Sequence, residues 1–199
     1  MKTLALALLL VTPVLSAQTP LATADNEKLV QHLDRTSAKF LASVHGLSEA
    51  QWNFKSAPDK WSVAQCAEHI AAAESFIRGA IEKSLAGPAA KKAALKDAVK
   101  DDAVAAFTID RSRLFKSPEP IAPTNRFGSQ EAAVQAFQAE RAKTTELAKT
   151  STGLRNHTAD HPGFGPLDAY GWILFLSAHT ERHTLQIEEI KSSDAYPVK

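Results

Sequence analysis

The chain has 199 residues, of which 44% are hydrophobic and 23% charged, and its formal net charge is +1. This length and composition fit one soluble globular domain that can bury a core of its own. The balanced charge offers no basic surface for nucleic acid or anionic lipid, so we expect neither as a partner.

The first segment has the pattern of a secretory signal peptide. Lys2 supplies a positive charge, an apolar run covers residues 4–11, and a proline then precedes two small residues that end at Ala17. We predict cleavage after Ala17, with cleavage after Ala24 as the alternative, and export to the periplasm or the exterior. The apolar run is too short to span a bilayer, so no membrane segment is expected after cleavage. Removal of residues 1–17 takes away only Lys2 among the charged residues, which leaves a formally neutral mature chain.

The one cysteine, Cys66, cannot form an internal disulfide, so the core of an exported protein must hold together without one. We interpret Cys66 as a small buried apolar residue.

Helical periodicity and the scarcity of alternating β patterns predict an all-α domain over residues 25–192, with a tail at 193–199. Ser62 followed by Gln65 predicts a capping box at the start of the second helix. Pro166 suits the first turn of the last helix. Four helices are expected, at about residues 25–44, 61–84, 129–149 and 166–191.

Helices of this length with mostly short links predict a four-helix bundle. The exception is the long connection between helices two and three, which we expect to cross the bundle and cover one end. Within it, residues 89–107 could form an amphipathic helix. Residues 117–128 carry three prolines and are expected to form an ordered loop.

The last helix places two histidines on its apolar face, one turn apart. At about 100° per residue, a single face collects Trp172, Phe175, Leu176, His179, His183, Gln186, Ile187 and Ile190. Two buried imidazoles need partners, and a shared metal ion satisfies both. The pattern is not that of a metalloprotease, because Thr180 and not a glutamate follows His179.

A third ligand must come from another helix, and His69 of helix two lies at the edge of that helix's apolar stripe. A lone histidine in such a place is more often a hydrogen-bonded structural residue. It becomes a candidate because two inward-facing histidines need a third. A bundle whose histidines bond only each other and water is the simplest alternative.

Two stretches of the chain resemble the DinB-like superfamily. One runs from Trp61 to His69 and Ile70; the other runs from His161 through Trp172, His179 and His183 to Gln186. The resemblance spans about residues 25–192 and implies a four-helix bundle with a metal held by one histidine of helix two and an H-x-x-x-H pair of the last helix. Those positions correspond to His69, His179 and His183. Relatives are thought to include thiol-dependent transferases and isomerases, although export makes a cytoplasmic thiol doubtful for this chain.

Further residues are assigned more weakly. Gln186 lies one turn beyond His183 and could contact a ligand, and His161 could line the mouth of a pocket. Arg141 is interpreted either as an edge residue or as an anchor for an anionic substrate. Trp61, Phe76 and Trp172 are assigned to the core. A second apolar set on the last helix could form a homodimer seam or face the crossover, and comprises Leu174, Ala178 and Leu185.

These observations predict an exported metal-dependent hydrolase or transferase acting on a small molecule. Three neutral imidazoles leave coordination positions open and suit zinc, nickel or iron alike. No convincing general base is evident in the sequence. The alternative is a non-catalytic module that binds metal or a partner.

Overall fold

A computed structural model describes residues 24–91 and 100–198. The predicted signal peptide therefore lies outside the described residues, as does part of the helix expected at 89–107. The helices are α1 (Ala24–Val44), α2 (Glu49–Asn53), α3 (Val63–Ala86), α4 (Asp101–Ile109), α5 (Gln130–Thr150) and α6 (Ala169–Lys191). Among these described helices, none is both long enough and apolar enough to span a bilayer.

The four long helices, α1, α3, α5 and α6, form the predicted four-helix bundle. Helix α6 packs against both α1 and α3, and α5 packs against the same two helices. Consecutive long helices α1 and α3 therefore lie diagonally across the bundle. The short helix α4 packs on the outside of α6, so the crossover between α3 and α5 covers that side of the bundle.

Local sequence explains where the long helices begin. Ser62 and Gln65 form the predicted capping box at the start of α3, in which each side chain bonds the backbone N–H of the other. The Ser129 side chain accepts from the N–H of Ala132 at the start of α5. Both boundaries agree with the sequence prediction to within two residues.

The start of the last helix was predicted wrongly. Residues Thr158–His161 and Gly165–Asp168 form a small antiparallel hairpin, β1 and β2, and Pro166 lies in β2. Helix α6 begins only at Ala169, because the side chain of Asp168 accepts a hydrogen bond from the N–H of Gly171. Residues 24–91 and 100–198 are thus mostly helical and contain one two-stranded sheet.

Two apolar clusters fill the bundle. One contains Phe40, Cys66, Phe137 and Ile187, and the other contains Leu29, Ile77, Val104 and Leu174. Cys66 is fully buried, as predicted, and burial raises the pKa of its thiol to about 12. Leu174 shares its cluster with Val104 of α4, whereas Leu185 is 42% exposed, so the homodimer stays a prediction.

Candidate metal centre

Helices α3 and α6 bring three histidines together inside the bundle. His69 comes from α3, and His179 and His183 come from successive turns of α6. Their ring centroids lie 4.5 to 4.9 Å apart. One ligand nitrogen from each ring lies within 4.8 Å of the others. His69 and His183 are buried, whereas His179 is intermediate in exposure and is therefore the member of the cluster closest to solvent.

The orientation of His69 is set by the crossover loop. Its Nδ1 lies 2.8 Å from the carbonyl oxygen of Ile121. A carbonyl oxygen only accepts, so Nδ1 carries the proton and Nε2 carries the free lone pair. That Nε2 lies 3.2 Å from Nε2 of His179. The Ile121 carbonyl, in the loop that leads to α5, therefore fixes which nitrogen of His69 faces the cluster.

His183 is oriented in the same way by a side chain of its own helix. Its Nδ1 lies 2.9 Å from Oε1 of Gln186, and Arg111 donates to the same oxygen from 3.3 Å. Since arginine only donates, the amide atom beside both groups is the oxygen. His183 therefore holds its proton on Nδ1 and its lone pair on Nε2. Gln186 thus contacts a histidine of the cluster, and its part in a metal site stays a prediction.

The electrostatics of the cluster favour neutral imidazoles. Burial lowers the pKa of His69, and burial together with the neighbouring rings lowers the pKa of His179 and His183 well below the usual value. Neutral imidazole is the form that binds a metal ion.

The donor set fits a divalent cation. Two nitrogens bound at about 2.0 Å to one tetrahedral ion lie about 3.3 Å apart, close to the 3.2 Å between the Nε2 atoms of His69 and His179. The two fixed Nδ1 protons repeat the hydrogen bonding that orients metal-binding histidines in general. Moreover, the Nε2 atoms of His69 and His183 both carry a lone pair, and a single N–H on His179 can donate to only one of them. The cluster therefore has acceptor capacity left for a cation.

Sequence reasoning missed the residue that secures the loop around His69. Glu68 accepts hydrogen bonds from the backbone N–H groups of Thr124, Asn125 and Arg126, and from the Arg126 side chain. Burial alone would raise the pKa of Glu68, but these donors outweigh it and hold that pKa below its usual value. The only sequence signal was a carboxylate beside His69 on a buried helix face.

Of the three aromatic residues assigned to the core, Trp172 is buried at 7% exposure, and the partly buried Trp61 packs against the core cluster that contains Cys66. Trp61 also lies against the histidine cluster, with its ring centroid 5.0 Å from that of His69 and 5.9 Å from that of His183. Phe76 is 48% exposed, so its assignment was wrong.

His161 lies near the open side of the cluster. Its half-buried ring packs between Phe164, Trp172 and Phe175, and Phe175 in turn contacts His179 at a centroid separation of 5.9 Å. The residue is thus one aromatic ring away from the centre, and its part in a pocket stays a prediction.

Both interpretations of Arg141 are wrong. The residue is 4% exposed, so it is not at the edge of the bundle. All five of its N–H groups are used inside the protein: two by Glu74, and one each by Leu33 O, Thr36 Oγ1 and Thr180 Oγ1. No donor is left for an anionic substrate. Its partner Glu74 lies 67 residues away, which no local pattern reveals.

Fold and site define a helical-bundle protein with a three-histidine centre. The chain belongs to the DinB superfamily, whose family model matches residues 32–187. It is also similar to the uncharacterized protein YuaE of Bacillus subtilis strain 168, with 24% identity over 149 residues that cover 74% of this chain and 88% of YuaE.

Two solved structures share the fold. YfiT from Bacillus subtilis, described as "a probable metal-dependent hydrolase with an unusual four-helix bundle topology", superposes with a TM-score of 0.58 at 17% identity, covering 94% of this chain and 95% of YfiT. A protein from Exiguobacterium sibiricum 255-15 that is assigned to the DinB family superposes with a TM-score of 0.51 at 16% identity, covering 89% and 97%. At these identities the likeness concerns the fold.

Proposed function

We propose that this protein is an exported metal-dependent enzyme, a hydrolase or a transferase, whose cation is held by His69, His179 and His183. The observation that carries the proposal is the convergence of three imidazoles, two of which have their Nδ1 proton committed to a fixed acceptor. The description of YfiT as a probable metal-dependent hydrolase supports the same chemistry. A divalent cation, when bound, supplies Lewis acidity toward a substrate oxygen.

The residues around the histidines prepare the site for that cation. The Ile121 carbonyl and the Gln186 amide orient two of the rings, and the ring of Trp61 packs against the same two rings. His179, the one residue of the three that is not fully buried, would lie on the side from which a substrate approaches. A catalytic metal centre typically has preorganised protein ligands and keeps at least one coordination position free, where the substrate binds and reacts.

A catalytic metal centre differs from a simple metal-binding site in that some coordination positions of the metal are not filled by the protein. Over residues 24–91 and 100–198, no aspartate, glutamate, cysteine or further histidine joins the group of three. This favours a site that exchanges ligands over a closed structural site. The non-catalytic module is the second candidate, and a fourth protein ligand would be its signature.

Cobalt(II) substitution distinguishes the two candidates. We expect the visible absorption spectrum of the cobalt-loaded protein to change when azide is added, because azide binds at a free coordination position. In parallel, the zinc-, nickel- and iron-loaded proteins are assayed on a panel of small esters and amides, with His183→Ala as the inactive control. A spectrum unaffected by azide, together with no metal-dependent turnover, would leave only the binding module.

Export is the part of the proposal that concerns residues 1–23, and its support is the sequence pattern alone. Edman sequencing of the protein recovered from the periplasm or medium tests it. Cleavage after Ala17 gives a chain that begins at Gln18, and cleavage after Ala24 gives one that begins at Asp25. Recovery of the chain in the cytoplasm with Lys2 still present would contradict export.

A further inference from the structure

We propose that a row of aromatic side chains beside His179 binds the aromatic part of a small-molecule substrate, whose polar reacting group then reaches the three-histidine centre. We call this row the aromatic wall; its members are Phe107, Phe115, His161, Phe164 and Phe175. The inference rests on the proposed function, since it names the class of substrate that the same centre would act on.

The aromatic wall is continuous from the centre to the protein surface. Starting at His179, successive ring centroids lie 5.9 Å away at Phe175, 4.4 Å further at His161, 4.8 Å at Phe164, 4.8 Å at Phe107 and 5.9 Å at Phe115. Rings at such separations are in edge or tilted contact. A ligand lying along them would keep apolar contact from the surface to the one partly exposed ligand histidine.

Exposure increases along the wall. Phe175, His161 and Phe164 are half-buried, Phe115 is 60% exposed and its neighbour Leu114 is 86% exposed. Leu114 and Phe115 thus extend the apolar surface of the wall outward, and contiguous exposed apolar surface is a feature of ligand-binding grooves. Because the wall meets His179 at its inner end, a substrate of the same centre is the occupant that this continuity favours.

The outer end of the wall is held in place. The buried guanidinium of Arg182 donates to the carbonyl oxygens of Thr108, Asp110 and Arg113, and Arg113 immediately precedes Leu114 and Phe115. The exposed apolar pair therefore follows a segment that is anchored to α6. A preformed apolar surface with few polar groups is what small-molecule sites usually present.

The charges beside the wall select against a cationic ligand. The Arg113 guanidinium lies 4.5 Å from the Phe107 centroid, and that of Arg182 lies 5.3 Å from the Phe115 centroid. Asp110 pairs with Arg113 at 3.1 Å and so offsets part of its charge. Burial lowers the pKa of His161 to about 4, which leaves that ring uncharged at neutral pH. The surface thus suits a neutral or anionic aryl compound.

Binding of 2-naphthoate to the zinc-loaded full chain, measured by isothermal titration calorimetry, tests the proposal. Loss of a ring contact is expected to weaken binding about tenfold in Phe115→Ala and in Phe164→Ala. Leu185→Ala, which removes an exposed apolar side chain outside the wall, is expected to leave the affinity unchanged. The cation 2-naphthylmethylammonium and the non-aromatic cyclohexanecarboxylate are expected to bind at least tenfold more weakly than 2-naphthoate.

The proposal is overturned if the wild-type chain does not bind 2-naphthoate, or if both wall variants bind it as tightly as Leu185→Ala does. It is also overturned if the cation or the non-aromatic acid binds as well as 2-naphthoate. Zinc content, measured on the same samples, separates this failure from that of the proposed function. Wall variants that keep zinc and naphthoate affinity contradict only the wall, whereas a wild-type chain without zinc contradicts the metal centre.

Discussion

Two buried polar clusters lie side by side in this bundle, and they differ in how completely they are satisfied. In the Glu74–Arg141 cluster every guanidinium N–H has a partner, and Thr180 also donates to Glu74. In the histidine cluster two rings have one nitrogen fixed, while the other nitrogens face each other. Thr180 belongs to the first cluster and His179, the preceding residue, belongs to the second.

The difference separates a structural role from a ligand-binding role. A buried ion pair with complete hydrogen bonding has no capacity for an external group, so it acts within the fold. A buried cluster with unused lone pairs is costly unless something binds there. Within one turn of α6, Thr180 thus belongs to a cluster whose hydrogen bonds are complete, and His179 belongs to a cluster with unused lone pairs.

The largest loss of stability is expected when one partner of the buried Glu74–Arg141 ion pair is removed. Arg141→Leu leaves the Glu74 carboxylate buried without its counter-charge, and should lower the free energy of unfolding by about 3–5 kcal/mol. The double variant Glu74→Leu/Arg141→Leu should recover much of that loss, because no charge is left unpaired. Urea unfolding of both variants measures the effect. A single variant within about 1 kcal/mol of wild type would contradict the structural role.

Removal of the metal should have the next largest effect. A cation that binds only the folded state at a hundred times its Kd adds about 2.7 kcal/mol of stability. Thermal unfolding with and without a chelator should therefore show a lower Tm in its presence. His183→Ala serves as the control, since its Tm should no longer respond to the chelator. Equal responses of the two proteins would indicate metal binding elsewhere.

Loss of the Gln186 acceptor should weaken the centre without destroying it. Gln186→Leu removes the partner of the His183 Nδ1 proton, and we expect metal affinity to fall about 10- to 100-fold. Competition with a chromogenic chelator measures the Kd. Glu189→Gln is the matched control, because it changes the other side chain that contacts Arg111 and leaves Gln186 in place. The same loss in both variants would assign the effect to Arg111.

The smallest effect concerns pH, because solvent screens the half-buried ring of His161 and reduces its contribution to stability. The pKa of His161 is about 4 in the folded chain, against about 6.5 in an unfolded one. Between these values the unfolded chain binds more protons, so stability falls as the pH falls from about 6.5 to about 4. His161→Phe should reduce this slope in chelator-treated protein, as measured by urea unfolding at several pH values. An unchanged slope would contradict the buried, neutral state of His161.

Local signals predicted the helices well, and non-local contacts explain the errors. The Ser62–Gln65 capping box lies within four residues, so its pattern is visible in the sequence. The β1–β2 hairpin has strands of four residues, too short for periodicity to reveal. Pro166 suggested a helix start, whereas Asp168, a good N-cap residue three positions before Gly171, marked the real one.

The same difference between local signals and non-local contacts decides which residues of the candidate site could be predicted. His179 and His183 could be paired by helical spacing. His69 was a candidate because two inward-facing histidines need a third, and the family resemblance implied the same residue. Glu68 and Arg141 could not be assigned, because their roles depend on a loop and on a carboxylate that are distant in sequence. Phe76 continues the stripe of α3 but finds no cover in the bundle, so hydrophobicity alone predicted its burial wrongly.

The central claim is that three imidazoles share one cation, and metal content tests it most directly. Elemental analysis of the purified chain, with His179→Ala and the exposed control His45→Ala prepared in parallel, provides the measurement. The account predicts one divalent ion per chain in the wild type and in His45→Ala, and close to none in His179→Ala. A wild-type chain without stoichiometric metal, or a His179→Ala chain that retains it, would contradict the account.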